Sequence, residues 1–148
     1  MDSVGLWAVA AVLVIGVAIG LWRRARSGRL RDVAEPAGDR LDPRLLADLG
    51  VAPGKATLLQ FSSAFCAPCR AVRRVSTEVA DLVPGVQHVE VDAESHLDAV
   101  RALDIWRTPT LLLLEADGRV VRRATGVPGK AQLVAALGEL DTLTGDRP

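Results

Sequence analysis

The chain opens on an apolar block and then changes period. From Val4 to Trp22 no residue carries a charge. As a helix that run would reach about 28 Å, close to the roughly 30 Å hydrocarbon core of a bilayer. Arg23 to Leu41 is polar and interrupted by Gly28, Pro36 and Gly38, the composition of a tether. Asp42-Pro43 then reads as the N-cap and first residue of a short helix through Leu45, Leu46 and Leu49 that stops at Gly50. Beyond it, strand patterns at 56–61, 86–91 and 110–114 alternate with helical ones at 67–83 and from Ser95, read as a cap, to about Leu103. Ala116-Asp117-Gly118-Arg119 is a hairpin turn into Val120–Ala124, and Gly129 begins a last helix ending near Leu140. The order is β-α-β-α-β-β-α behind a leading helix. It predicts an α/β domain with a four-stranded mixed sheet covered by helices on both faces. The expected organisation is a tip at 1–3, an anchor at 4–22, a polar Arg-rich tether at 23–40, a globular domain at 41–143 and a tail at 144–148.

The apolar block is read as one uncleaved transmembrane helix. Trp7 and Trp22 stand near its ends, where indoles settle at membrane interfaces. A signal peptide would need a basic start and a small-x-small cleavage site, whereas Asp2 precedes the block and Leu21-Trp22-Arg23-Arg24 closes it. Arg23, Arg24, Arg26, Arg29 and Arg31 follow it, and no Lys or Arg precedes it. The positive-inside rule therefore puts the globular part in the cytoplasm, with an extracytoplasmic placement as the alternative. The same arginines suit the anionic headgroups of the inner leaflet. Gly16 and Gly20 form a small-xxx-small pair able to support a weak dimer. The formal net charge is zero, which implies no nucleic-acid partner.

The candidate chemistry lies in Cys66-Ala67-Pro68-Cys69, which holds both cysteines of the chain. The pair falls at a strand-to-helix turn, where the first thiol faces unpaired backbone N–H groups. Those groups favour an anion, and so thiolate over thiol. A thiolate opens disulfides, and a second thiol one turn along can resolve the mixed disulfide. Zinc or copper would need further ligands. The candidates, His88 and His96, are read as ordinary surface or edge histidines, so no metal is expected. No GxGxxG or Walker-type loop is present, and no nucleotide or flavin cofactor is expected.

The region from about 41 to 141 resembles the thioredoxin fold. Phe61-Ser62-Ser63-Ala64-Phe65-Cys66-Ala67-Pro68-Cys69-Arg70 is similar to that family's strand and Cys-x-Pro-Cys pattern. Thr108-Pro109-Thr110-Leu111 is similar to its second signature, a cis proline before a central strand, and Asp117-Gly118, Val120-Val121 and Gly126 to its closing hairpin. The resemblance implies that Cys66 attacks and that Cys69, further inward, resolves. It also implies a client groove lined by Phe65, Pro68, Trp106, Thr108, Pro109, Gly126 and Val127, with Thr108 offering backbone groups to an extended substrate. Trp106 has packing at a helix–loop junction as an equal alternative reading.

Three positions depart from the family pattern. Gln60 stands where the family usually has a buried acid, so general-base help for Cys69 must come from water or another group. Phe65 replaces a Trp, and Ala67 replaces a Gly. Arg73 and Arg74 are read as an exposed helix face, and Asp92 as a cap near the next helix.

The function implied is a membrane-tethered thiol–disulfide oxidoreductase that reduces protein disulfides. Its partners would be a disulfide-containing client, a dithiol-recycling reductase or membrane electron donor, and the bilayer. The alternatives are extracytoplasmic cytochrome maturation or envelope disulfide handling, and a non-catalytic binding module of the same fold.

Overall fold

Leucine at four consecutive positions, 111 to 114, makes a strand that must be covered on both faces, and this strand is the middle of the molecule. In a computed structural model, which describes residues 3–26, 28–32 and 40–145, the elements run α1 (Ser3–Arg26), β1 (Arg31–Asp32), α2 (Pro43–Asp48), β2 (Ala56–Ser62), α3 (Ala67–Leu82), β3 (Val86–Asp92), α4 (Leu97–Ala102), β4 (Thr110–Leu114), β5 (Val120–Thr125) and α5 (Lys130–Gly145). The sheet order is β1-β5-β4-β2-β3. β2 and β3 pair in parallel across the α3 crossover, while β4 is antiparallel to both β2 and β5. These four strands are the predicted mixed sheet. β1 adds two residues at its edge.

Because side chains alternate across a strand, β4 feeds two cores. Leu112 and Leu114 pack with Leu49, Leu59, Phe61, Leu103 and Ile105 on one face. Leu111 and Leu113 pack with Leu58, Val72, Val79, Leu133 and Leu137 on the other. Burying each such side chain stabilises the fold by roughly 1.5–3 kcal/mol, so the sheet is a rigid base for the turn that follows β2. α3 turns Cys69, Val72, Ser76 and Val79 inward, a three–four spacing that lays one stripe against the sheet.

Several boundaries differ from the sequence reading. α4 begins at Leu97 with His96 as its N-cap. Ser95 does not cap it, because its hydroxyl donates to the Asp92 carboxylate, which also accepts the Glu94 N–H. Asp92 thus organises the turn ahead of α4. α5 continues past Leu140 to Gly145, into the expected tail.

The two flanks of the polar stretch are attached to the domain. Arg31 and Asp32 pair with Arg123 and Arg122, and Arg40 bridges to Arg119. β5 would otherwise expose unpaired backbone groups along an edge, and the segment covers part of that edge. Met1, Asp2, residue 27, residues 33–39 (with Pro36 and Gly38) and residues 146–148 lie outside the described residues.

α1 is long and apolar enough to cross a membrane from Gly5 to Arg23, and none of that stretch is buried within the protein. Gly16 and Gly20 have nothing packed against them.

Candidate active site

β2 ends at Ser62, and the chain must turn before α3 begins at Ala67. Cys66 is the N-cap of α3, with extended backbone angles. Pro68 sits in the first turn, where its missing N–H costs nothing. Cys66 and Cys69 form a disulfide, with Cα atoms 5.3 Å apart. Cys69 is 2% exposed, while Cys66 is half-buried. The outer sulfur is therefore the one a large molecule can reach. When the bridge opens, the free N–H groups of α3 stand beside Cys66 and stabilise its thiolate.

Across from the bridge, the Thr108–Pro109 peptide is cis. The Thr108 and Ser63 hydroxyls share a hydrogen bond of 3.0 Å, which ties the proline loop to the cysteine turn. Gly126, at φ +90°, donates its N–H to the Pro109 carbonyl. A side chain would strain that backbone. Pro68, Thr108, Pro109, Gly126 and Val127 line one groove of about 540 Å³, with Arg107 and Thr125. Phe65 and Trp106 do not line it. Phe65 is 99% exposed at the cysteine turn, and Trp106 is 84% exposed and lines a neighbouring cavity. Trp106 is not packed into a helix–loop junction; its indole N–H donates to the Asp104 carboxylate.

Beneath the bridge lies a polar network. Gln60 is fully buried, and its Nε2 donates to the Cys69 carbonyl at 3.0 Å, to Ser62 Oγ at 2.8 Å and to Glu90 at 3.3 Å. Ser62 Oγ donates to the same Glu90 oxygen at 2.6 Å. Arg73, one turn beyond Cys69, pairs with Glu90. His88 Nε2 lies 3.1 Å from Gln60 Oε1, and Nδ1 lies 3.3 Å from the Thr77 hydroxyl. Because Gln60 presents an oxygen to the ring, Nε2 carries the proton in this arrangement.

His88 is half-buried on the edge strand β3, as an edge histidine would be, and also joins Gln60; Arg73 is exposed, as expected of that helix face, and also pairs with Glu90. His96 instead sits at the start of α4, its Nδ1 3.1 Å from the Asp92 carbonyl. Among the described residues no group of three or more His, Cys, Asp or Glu could hold a metal ion.

The charges in this network shift accordingly. The Arg73 guanidinium, by hydrogen bond, holds the Glu90 carboxyl below the usual range, against burial. Burial pushes the His88 imidazolium down, against the pull of Glu90. The family's buried acid is absent at Gln60, but a carboxylate on the next strand reaches the same network. Sequence reasoning missed Glu90 and Ser62. The chain carries polar residues at 60, 62, 88 and 90, but only the parallel register of β2 and β3 brings them together.

The fold and the bonded pair define a dithiol–disulfide exchange domain. Comparison with known proteins agrees. The thioredoxin family profile matches residues 48–139. The chain is 32% identical over 88 residues to thioredoxin H4-1 of rice, spanning 58% of this chain and 66% of that protein. It is 30% identical over 87 residues to a thioredoxin of Mycobacterium tuberculosis, spanning 58% and 74%. Among solved structures, chloroplastic thioredoxin z superposes with a TM-score of 0.58 at 22% identity, covering 69% of this chain and 92% of that one. Mitochondrial thioredoxin 3 of Saccharomyces cerevisiae superposes with a TM-score of 0.52 at 21% identity, covering 59% and 80%. The chain belongs to the thioredoxin family, and its globular part is a thiol–disulfide oxidoreductase domain of that family.

Proposed function

We propose that this protein is a membrane-tethered reductant of protein disulfides, with α1 spanning the bilayer and the domain on its cytoplasmic side. The observation that carries the chemistry is the Cys66–Cys69 bridge at the start of α3, facing the groove of the cis proline.

In the reduced protein the Cys66 thiolate attacks one sulfur of a client disulfide. The other client sulfur leaves as a thiolate and takes up a proton. Cys69 then loses its proton and attacks Cys66 Sγ, and the second client sulfur leaves and is protonated. Two electrons and two protons have passed to the client, and the bridge has re-formed. A dithiol of a reductase or a membrane electron donor must restore it.

The groove residues Pro68, Thr108, Pro109, Gly126 and Val127 hold an extended client, with the Thr108 backbone pairing to it. Phe65 and Trp106 flank its approach. Cys69, nearly inaccessible, is the resolving thiol.

The membrane reading rests on the apolar α1 and on the arginines that follow it. A cytoplasmic thiol pool would keep the pair reduced. Full-length protein in detergent micelles should reduce insulin disulfides when supplied with dithiothreitol, and Cys66→Ser should lose that activity. Full activity in Cys66→Ser would refute the reading. A reporter fused after Pro148 reads the side of the membrane, and an external signal would favour the envelope role.

A further inference from the structure

The end of α1 is held close to the client groove. Gly28 donates its N–H to the Thr125 carbonyl at 2.6 Å, next to the groove residues Gly126 and Val127. A Cβ at Gly28 would lie 2.0 Å from the Val127 carbonyl oxygen, so only glycine lets the chain pass there. Leu30 packs into the core under α3 and α5, and Arg31 pairs with Arg123. One residue separates Arg26, the last of α1, from this pinned point. The domain therefore does not swing on a long leash at this end.

Between the end of α1 and the domain lies a cavity of about 680 Å³, lined by Trp22, Arg23, Arg31, Trp106, Arg107 and Arg123 among others. Four arginines line it among the described residues. Among the described residues of the lining the one carboxylate, Asp104, accepts the Trp106 indole N–H, and Arg123 is oriented by donating to the Leu103 and Asp104 carbonyls. Arg31 and Arg107 are exposed and form no ion pair among the described residues.

We propose that this cavity binds the phosphate of an anionic phospholipid headgroup and so holds the client groove at the membrane surface. The inference rests on the membrane-spanning reading of α1. That reading puts Trp22 and Arg23, at the end of the apolar run, level with the headgroups. Guanidinium forks match phosphate oxygens in pairs, and an exposed indole such as Trp106 suits the interfacial zone. The groove shares Arg107 and Thr125 with this cavity. The disulfides within reach are then those of membrane or membrane-adjacent clients.

The test uses full-length protein in lipid nanodiscs, in a Trp7→Phe/Trp22→Phe background that leaves Trp106 as the sole indole. Replacing part of the phosphatidylcholine by phosphatidylglycerol should shift Trp106 emission to the blue. Arg31→Gln and Arg107→Gln should each weaken the lipid response about fivefold, and Arg107→Lys should retain most of it. Four results would overturn the proposal: equal emission in both lipids, a response unchanged in both glutamine variants, the full loss in Arg107→Lys, or the same shift from inorganic phosphate added to phosphatidylcholine discs. Failure of the membrane reading is separately visible, as release of the wild-type chain from membranes by alkaline carbonate.

Discussion

The two sides of the Cys66–Cys69 bridge are built of different materials. On the outer side stand an exposed Phe65, the cis Thr108–Pro109 loop and an open groove ending at Val127. On the inner side, Gln60, Ser62, Glu90, His88 and Arg73 form a connected polar network under Cys69. The outer surface is shaped for an incoming chain and contributes little to holding the fold. The inner network is the reverse. It fixes the carbonyl of Cys69, so it sets where the resolving sulfur sits, and Gln60 and Glu90 are the members on which the others depend. Activity and stability should therefore come apart across this bridge.

The largest effect is expected at the bridge itself. Cys69→Ser should leave attack intact but block resolution, so that full-length protein accumulates covalent client adducts released by dithiothreitol; non-reducing gels with mass spectrometry read this directly. On the inner side, Gln60→Leu removes the buried side-chain donor to the Cys69 carbonyl, Ser62 and Glu90 and the acceptor facing His88 Nε2. The cost should be about 1–3 kcal/mol, read as a lower denaturant midpoint with an unchanged slope.

A smaller inner effect concerns pH. His88 has a folded pKa below its unfolded value of about 6.5. The folded state therefore binds fewer protons, and His88's contribution to stability, fully present above the unfolded value of about 6.5, is lost as pH falls below it through the lower folded pKa. Glu90, also lowered, acts in the same sense at more acid pH, its contribution being lost below the ordinary carboxylate range near 4.3. Wild type should lose melting temperature between about pH 7 and 5, and His88→Gln should flatten that slope. The smallest stability effect is expected outside. Phe65→Ala should stay within about 0.5 kcal/mol of wild type while raising KM for a protein client. A Phe65→Ala protein that melts like Gln60→Leu would erase the contrast.

Much of this was legible in the chain because strong local signals carried it. Cys-x-Pro-Cys after a β-strand, Thr-Pro before four leucines, and Asp-Gly between two strands each specify a turn by short-range chemistry, and those turns place the site. The inner network was not legible, because it is a register property. Gln60 and Glu90 meet only because β2 and β3 pair in parallel with those residues as partners, which no local pattern states. His88 does stand on the edge strand β3, but its bond to Gln60 on the neighbouring strand is hidden for the same reason. The fixed path from Gly28 to Asp32 was hidden too. It is polar and glycine-containing, as tethers are, yet an open strand edge at β5 captured it. Ser95 was a plausible cap until Asp92 took its hydroxyl.

Disulfide exchange by this domain turns on the ionisation of the outer sulfur. The direct measurement is the pH dependence of iodoacetamide alkylation in the fully reduced full-length protein, with the modified cysteine located by mass spectrometry. Cys66 should react with half-maximal rate well below the pKa of about 8.5 of an ordinary cysteine, and Cys69 should remain largely unmodified over the same range. Preferential alkylation of Cys69, or a Cys66 that titrates at or above the ordinary value, would contradict it.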